Sequence, residues 1–215
     1  MKRQQSFALS GVFCLLFILL IVLLKTVDIA AIGPADTSVG LSAVNQAVRS
    51  VVGMHPAVYK LTQITGYLAI LLAVCFALLG GFQLISRRSL SKVDRPLLLL
   101  AGLYAVVLVI YVLFEKVIIN YRPVLMDGET FPEASFPSSH TMLSCAIYLS
   151  AAMVLDHYVE HPGLAVGLKV LCTVLAVVTV VGRMVSGVHW FTDILGGVLI
   201  SASLLLCFRA LLRKN

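Results

Sequence analysis

The chain has 215 residues, 60% of them hydrophobic and 12% charged, and its mean hydropathy of +1.02 excludes an ordinary soluble domain. A net charge of +6 raises nucleic acid as a partner, but the basic residues form no single patch: Lys2 and Arg3 open the chain, Arg87, Arg88, Lys92 and Arg95 share one short segment, and Arg209, Arg213 and Lys214 close it. That distribution is the positive-inside pattern of a membrane protein.

Six runs are long enough to cross about 30 Å of hydrocarbon: residues 7–24, 64–85, 96–114, 138–155, 163–181 and 191–212. They predict an all-α polytopic bundle forming one membrane-embedded domain over 1–215, with both termini on the same side. The first run, with Lys2 and Arg3 before it and Ala30-Ala31 beyond it, also has the layout of a signal peptide. Its length, and the Lys25 and Asp28 that separate it from the small residues, favour a span. Between the first two runs, Leu41, Val44, Val48 and Val51 recur at helical spacing with Asn45, Gln46 and Arg49 among them. A helix is predicted there, lying in the membrane interface or packing on the bundle.

The basic segment 86–95 places itself and both termini in the cytoplasm of a plasma-membrane protein, so segments 25–63, 115–137 and 182–190 are expected outside. Cys14, Cys75, Cys145, Cys172 and Cys207 stand inside apolar runs without metal-ligating spacing and read as core residues. The chain carries no fixed-period repeat, so chemistry is expected from the outward segments.

Residues suited to phosphate collect where those segments meet the runs. Lys116 and Arg122-Pro123 follow the third run; an arginine fork matches phosphate oxygens and a lysine adds a point charge, although both types also serve as headgroup anchors. Pro137-Ser138-Ser139-His140 opens the fourth run. Serine there is an ordinary N-cap, and the same helix start offers free N–H groups to an anion, with His140 placed to donate a proton. Arg183, His189 and Asp193 bridge the fifth and sixth runs. With a helix starting near His189, the i,i+4 spacing sets Asp193 on the same face, where a carboxylate fixes the imidazole tautomer and frees the other nitrogen as a nucleophile. A carboxylate in an apolar run is costly without such a partner.

Taken in order, Arg122-Pro123, Pro137-Ser138-Ser139-His140, and Arg183 followed by His189 and Asp193 resemble the three-part motif of the type-2 phosphatidic-acid phosphatase superfamily, which includes lipid phosphate phosphatases and vanadium haloperoxidases. The resemblance runs from about the third run to the end of the chain. It implies a lipid phosphatase without metal or cofactor, in which His189 forms a phosphohistidine, Asp193 orients it and His140 protonates the leaving oxygen. Arg122, Arg183, Lys116, Ser138 and Ser139 would hold the phosphate. The implied substrate is a lipid phosphate or diphosphate, such as polyprenyl diphosphate or phosphatidate, met at the extracytoplasmic face.

Three positions depart from the family pattern: Ser139 replaces a glycine, Gly182 replaces a serine, and Glu115 stands where the family has lysine. Lys116 comes one residue later, about 100° further around a helix. Two other readings compete: a lipid phosphotransferase sharing the phosphohistidine, and a non-enzymatic transport or scaffold protein whose outward charges are anchors. The motif order and the intramembrane Asp193 weigh against the second.

Overall fold

The structure, a computed structural model, describes residues 2–126 and 128–213; Met1, Asp127, Lys214 and Asn215 lie outside the described residues. Long apolar stretches set the helices: α1 (Arg3–Thr26), α2 (Ser42–Val52), α3 (Pro56–Arg87), α4 (Arg95–Lys116), α5 (Ser139–Val154), α6 (Pro162–Val185) and α7 (Phe191–Leu212). Prolines open three of them, Pro56 in α3, Pro96 in α4 and Pro162 in α6, in the first turn where a missing N–H leaves no helical bond unmade.

Five helices, α1, α3, α4, α6 and α7, are long and apolar enough to cross a membrane, and the chain is a multi-pass membrane protein. The difference from the six expected runs lies at α5. It has 16 residues, about 24 Å at 1.5 Å per residue, and it packs against α3, α4, α6 and α7. Most of its side chains are buried, Ser144, Cys145 and Ser150 included. It is the axis of the bundle, and protein surrounds it.

α2 forms where the spacing predicts, but it turns polar groups inward: Ser42 and Asn45 are buried while Val44 and Val51 are exposed. Leu41, at its N-cap, adopts a left-handed conformation and offers no side-chain cap. Asp28 supplies one from outside, accepting from the Ala43 N–H at 2.7 Å and the Ser42 hydroxyl at 2.8 Å. Those two bonds hold the Asp28 carboxyl below its ordinary pKa. A short antiparallel pair, β1 (Ala30–Ala31) and β2 (Ser38–Val39), folds the link between α1 and α2.

α1 packs along α7, where the Ser10 and Ser203 hydroxyls each donate to the other's carbonyl at 2.8 and 2.9 Å. Helix direction alternates, so the segments after α1, α4 and α6 gather at one end. The basic segment after α3 meets the end of α7 at the other, where Arg95 donates to the Leu211 carbonyl at 2.6 Å.

Candidate active site

The link from α4 to α5 is strapped across one end of the bundle. Lys25 fastens it, donating to the carbonyls of Ile118 and Ile119 at 3.0 and 3.1 Å. The strap then folds back on itself: the Ser135 N–H donates to the Asn120 carbonyl and the Arg122 N–H to the Glu133 carbonyl, each at 2.9 Å. Phe136 plugs in below, 5.7 Å from the Phe17 ring and 5.9 Å from Phe114. It fits because residue 196 is glycine; a Cβ there would lie 2.4 Å from the ring. The strap turns the Arg122 side chain inward, 12% exposed, with its Nε 3.0 Å from the Glu133 carboxylate.

Ser138 caps α5, its hydroxyl accepting from the Thr141 N–H at 3.5 Å, while its own N–H donates to the Asp193 carbonyl at 3.0 Å. Ser138 is fully buried in that role. Ser139, one residue on, lines the cavities beside Arg122 and His140.

Arg183 closes α6 with no exposed surface. Its Nη2 lies 2.5 Å from His140 Nδ1, its Nη1 donates to Thr62 Oγ1 at 3.3 Å, and its guanidinium carbon sits 5.1 Å from the centre of the Tyr59 ring. A guanidinium only donates, so Nδ1 of His140 accepts and its ring proton resides on Nε2.

The turn from α6 to α7 is pinned from several sides. Gly187 has φ of 72°, and a Cβ on it would lie 2.1 Å from the Gly53 carbonyl oxygen, so no other residue fits. Arg49 of α2 donates to the Gly187 carbonyl at 3.0 Å and lies 5.6 Å from the Trp190 ring centre. Asn45 exchanges hydrogen bonds with Thr192 at 3.1 and 3.2 Å, and the Trp190 indole N–H donates to the Tyr121 carbonyl at 2.8 Å.

His189 sits in this turn, just ahead of α7. The helix begins at Phe191, and Asp193, in its first turn, accepts from the Trp190 N–H at 2.9 Å and from Asn120 Nδ2 at 3.3 Å. Asp193 Oδ2 is 3.6 Å from His189 Nδ1, a close contact longer than a hydrogen bond. Neither ring nitrogen of His189 has a hydrogen-bond partner among the described residues, and Nδ1 is the one that faces Asp193. Burial, and then the positive charges of Arg122 and Arg183, hold the His189 imidazole well below its ordinary pKa.

These elements bring Arg122, Ser139 and His189 to the wall of one narrow cleft, and Arg122, Ser139 and His140 to an adjoining cavity of about 530 Å³. Nη1 of Arg122 and Nε of Arg183 are buried donors without partners among the described residues. Converging cationic donors, one neutral imidazole nitrogen free to attack and one imidazole N–H free to donate suit binding and transfer of an anionic group. Two residues singled out in the sequence stand apart. Ser138 spends its hydroxyl on the helix cap, and Lys116 is exposed at the end of α4, while Glu115 lines both cavities.

Sequence reasoning passed over Asn120, which holds Asp193; Tyr59 and Thr62, which hold Arg183; and the bracing roles of Asn45 and Arg49. Asn120, Tyr59 and Thr62 share one signal, a polar residue at the outer end of an apolar run, whereas Asn45 and Arg49 stand among the polar positions of α2.

A family model described as the PAP2 superfamily matches residues 96–215. A solved structure, described as the first transmembrane PAP2-type phosphatidylglycerolphosphate phosphatase from Bacillus subtilis, is similar to this chain with a TM-score of 0.63 at 20% identity, covering 94% of this chain and 93% of that one. At that identity the likeness is one of fold. No curated protein matches the chain.

Proposed function

The chain belongs to the PAP2 superfamily and is a membrane phosphatase, and from that premise we propose that it hydrolyses a lipid phosphate or diphosphate through a phosphohistidine on His189. The observation that carries the reading is the opposite state of two histidines at one site. His189 is backed by Asp193 and keeps Nε2 uncommitted, whereas His140 gives Nδ1 to Arg183 and keeps a proton on Nε2.

The anionic headgroup draws the Arg183 guanidinium to itself and lets His140 take up a second proton. Nε2 of His189 attacks phosphorus, the bond from phosphorus to the lipid-side oxygen breaks, and that oxygen takes the His140 Nε2 proton, leaving a neutral ring. Water then attacks the phosphohistidine, returning a proton to His140 and releasing phosphate from His189. Arg122 and Arg183, with N–H groups at the start of α5, neutralise the equatorial oxygens as charge builds on them. Asp193 keeps the His189 proton on Nδ1 and balances the positive charge of the phosphoimidazole. Lys116 reaches the phosphate only if the end of α4 rewinds, so it contributes less than the arginines.

α5 is the sixth crossing, shortened because it is sheathed by protein, and α2 lies in the interface with Val44 and Val51 toward lipid. The basic segment at Arg87 and Lys92 faces the cytoplasm with both termini, and the site faces outward at the plasma membrane. In cells lacking the native cysteines, an impermeant thiol reagent should label Glu129→Cys and spare Ser89→Cys. The reverse pattern would place the site inside.

The chemical test is phosphate release by purified protein in EDTA from polyprenyl diphosphate, phosphatidate, lysophosphatidate and phosphatidylglycerolphosphate. Release from at least one, abolished in His189→Ala, is the expected result. Turnover of none would leave a transport or scaffold role. Transfer of phosphate to an added alcohol in preference to water would make the chain a phosphotransferase.

A further inference from the structure

The cavity of about 530 Å³ beside the phosphate site leans to negative charge. His140 lines it, so it receives what the substrate carries next to its leaving oxygen. Arg122 is the one cation among its described wall residues, and it shares the wall with two carboxylates, Glu115 at the end of α4 and Glu133 on the strap. Glu133 is spent on Arg122, 3.0 Å from its Nε. Glu115 enters no ion pair among the described residues. It also lines the narrow cleft that holds His189, whose side chain is 1% exposed and whose Nε2 is unpartnered. Its charge therefore stands at the junction of the two spaces. Lys116, the next residue, is exposed and lines neither.

We propose that Glu115 is a specificity-determining residue that bars a second phosphate, so that the chain takes lipid monophosphates in preference to diphosphates. The inference rests on the lipid phosphatase reading and chooses between the two substrate types that it leaves open. The phosphate being transferred meets Arg122, Arg183 and the start of α5. In a diphosphate, the second phosphate follows the leaving oxygen into the cavity at His140, where Glu115 and Glu133 repel it and Arg122 is already offset by Glu133. Two unit charges about 10 Å apart near a protein surface still repel enough to change binding about 10-fold. A monoester places an uncharged carbon there instead, and any hydroxyl it carries donates to a carboxylate. Glu115 stands where the family pattern has a lysine, so this selectivity is a property of the chain and not of the family.

Farnesyl phosphate and farnesyl diphosphate share a tail and differ only in the second phosphate. In initial rates of phosphate release, kcat/KM of the unsubstituted protein should be at least about 10-fold higher for the monophosphate. Glu115→Gln, which keeps the shape and removes the charge, should lower that ratio about 10-fold, and Glu115→Lys should lower it further. A ratio that favours the diphosphate in the unsubstituted protein, or that stays the same in both variants, would overturn the proposal. A second readout needs no turnover. In a His189→Ala background in detergent, where neither lipid is consumed, farnesyl phosphate should raise the melting temperature more than the diphosphate does, and adding Glu115→Lys should reverse that order. The same order with and without Glu115→Lys would also overturn it. A charge-dependent order of protection, without phosphate release from any lipid by the unsubstituted protein, would sink the phosphatase reading and leave Glu115 standing as the residue that rejects the second phosphate.

Discussion

Arg183 Nη2 lies 2.5 Å from His140 Nδ1, so a residue placed to grip phosphate also fixes which nitrogen of the neighbouring imidazole carries the proton. Lysine keeps the charge of Arg183 but cannot reach Thr62 and His140 at once. Arg183→Lys should therefore lose about 10²- to 10³-fold in kcat, as when a preorganised donor is removed from a transition state. His140→Gln should lose about 10²- to 10⁴-fold on alkyl phosphates and far less on a nitrophenyl phosphate, whose leaving group needs no proton. Equal losses on both substrate types, measured in steady-state assays, would remove His140 from the role of acid.

Asn120 is buried and donates to Asp193 at 3.3 Å, which places it two steps from phosphorus. Asn120→Ala should slow turnover about 10-fold, equivalent to one buried hydrogen bond to a charged group, with little change in KM. A rise in KM with kcat preserved would show that Asn120 touches substrate instead.

The low pKa of His189 gives a pH signature. The imidazole stays neutral and nucleophilic as pH falls through about 6.5, the ordinary histidine value, so that value should not appear as a limb of the kcat/KM profile due to His189. Stability moves the other way. Below about pH 6.5 the unfolded chain takes up a proton that the buried ring refuses, so stability present above that pH falls by up to about 1.4 kcal/mol per pH unit. His189→Gln should flatten that part of the melting-temperature profile. An unchanged slope would mean that the ring is not held neutral.

Gly182 departs from the family pattern, and the structure gives a reason: a Cβ there would lie 2.5 Å from the Thr62 methyl, while the Thr62 hydroxyl accepts from Arg183. α3 thus supplies from outside the motif a hydroxyl next to Arg183. Gly182→Ser alone should cost about 1–3 kcal/mol through overpacking, together with activity. Gly182→Ser combined with Thr62→Ala should recover most of both, read from melting temperature and kcat/KM. Additive losses in the double variant would deny the exchange.

How much of this was legible in the sequence follows from what each residue has to do. Arg122, His140, Arg183, His189 and Asp193 stood out because phosphoryl transfer demands those residue types and a membrane segment otherwise excludes them. The helix runs were equally plain from hydropathy and α2 from its apolar spacing, although α3 begins at Pro56, ahead of the expected run at 64–85. Hydropathy does not distinguish a wall facing lipid from one facing protein, so the central place of α5 was hidden. Thr62 and Tyr59 were hidden for a related reason: hydroxyl-bearing residues are common in apolar helices, and only the crossing of α3 over α6 brings these two to Arg183. Asn45 was read as the polar side of an amphipathic helix, yet it is the side that packs, because Thr192 at the start of α7 satisfies its amide.

Trapping the covalent intermediate is the most direct measurement of the role given to His189. Brief exposure to a substrate labelled in the phosphate, followed by quenching, should yield a phosphoprotein that is acid-labile and base-stable, with the label on His189. Vanadate, whose five-coordinate geometry resembles the transferring group, should compete with the substrate and prevent labelling. His189→Ala should give no phosphoprotein, Asp193→Asn should form it slowly, and His140→Ala should form it slowly from alkyl phosphates. Normal turnover of a lipid phosphate by His189→Ala, or label recovered on another residue, would contradict the assignment of His189 as the nucleophile.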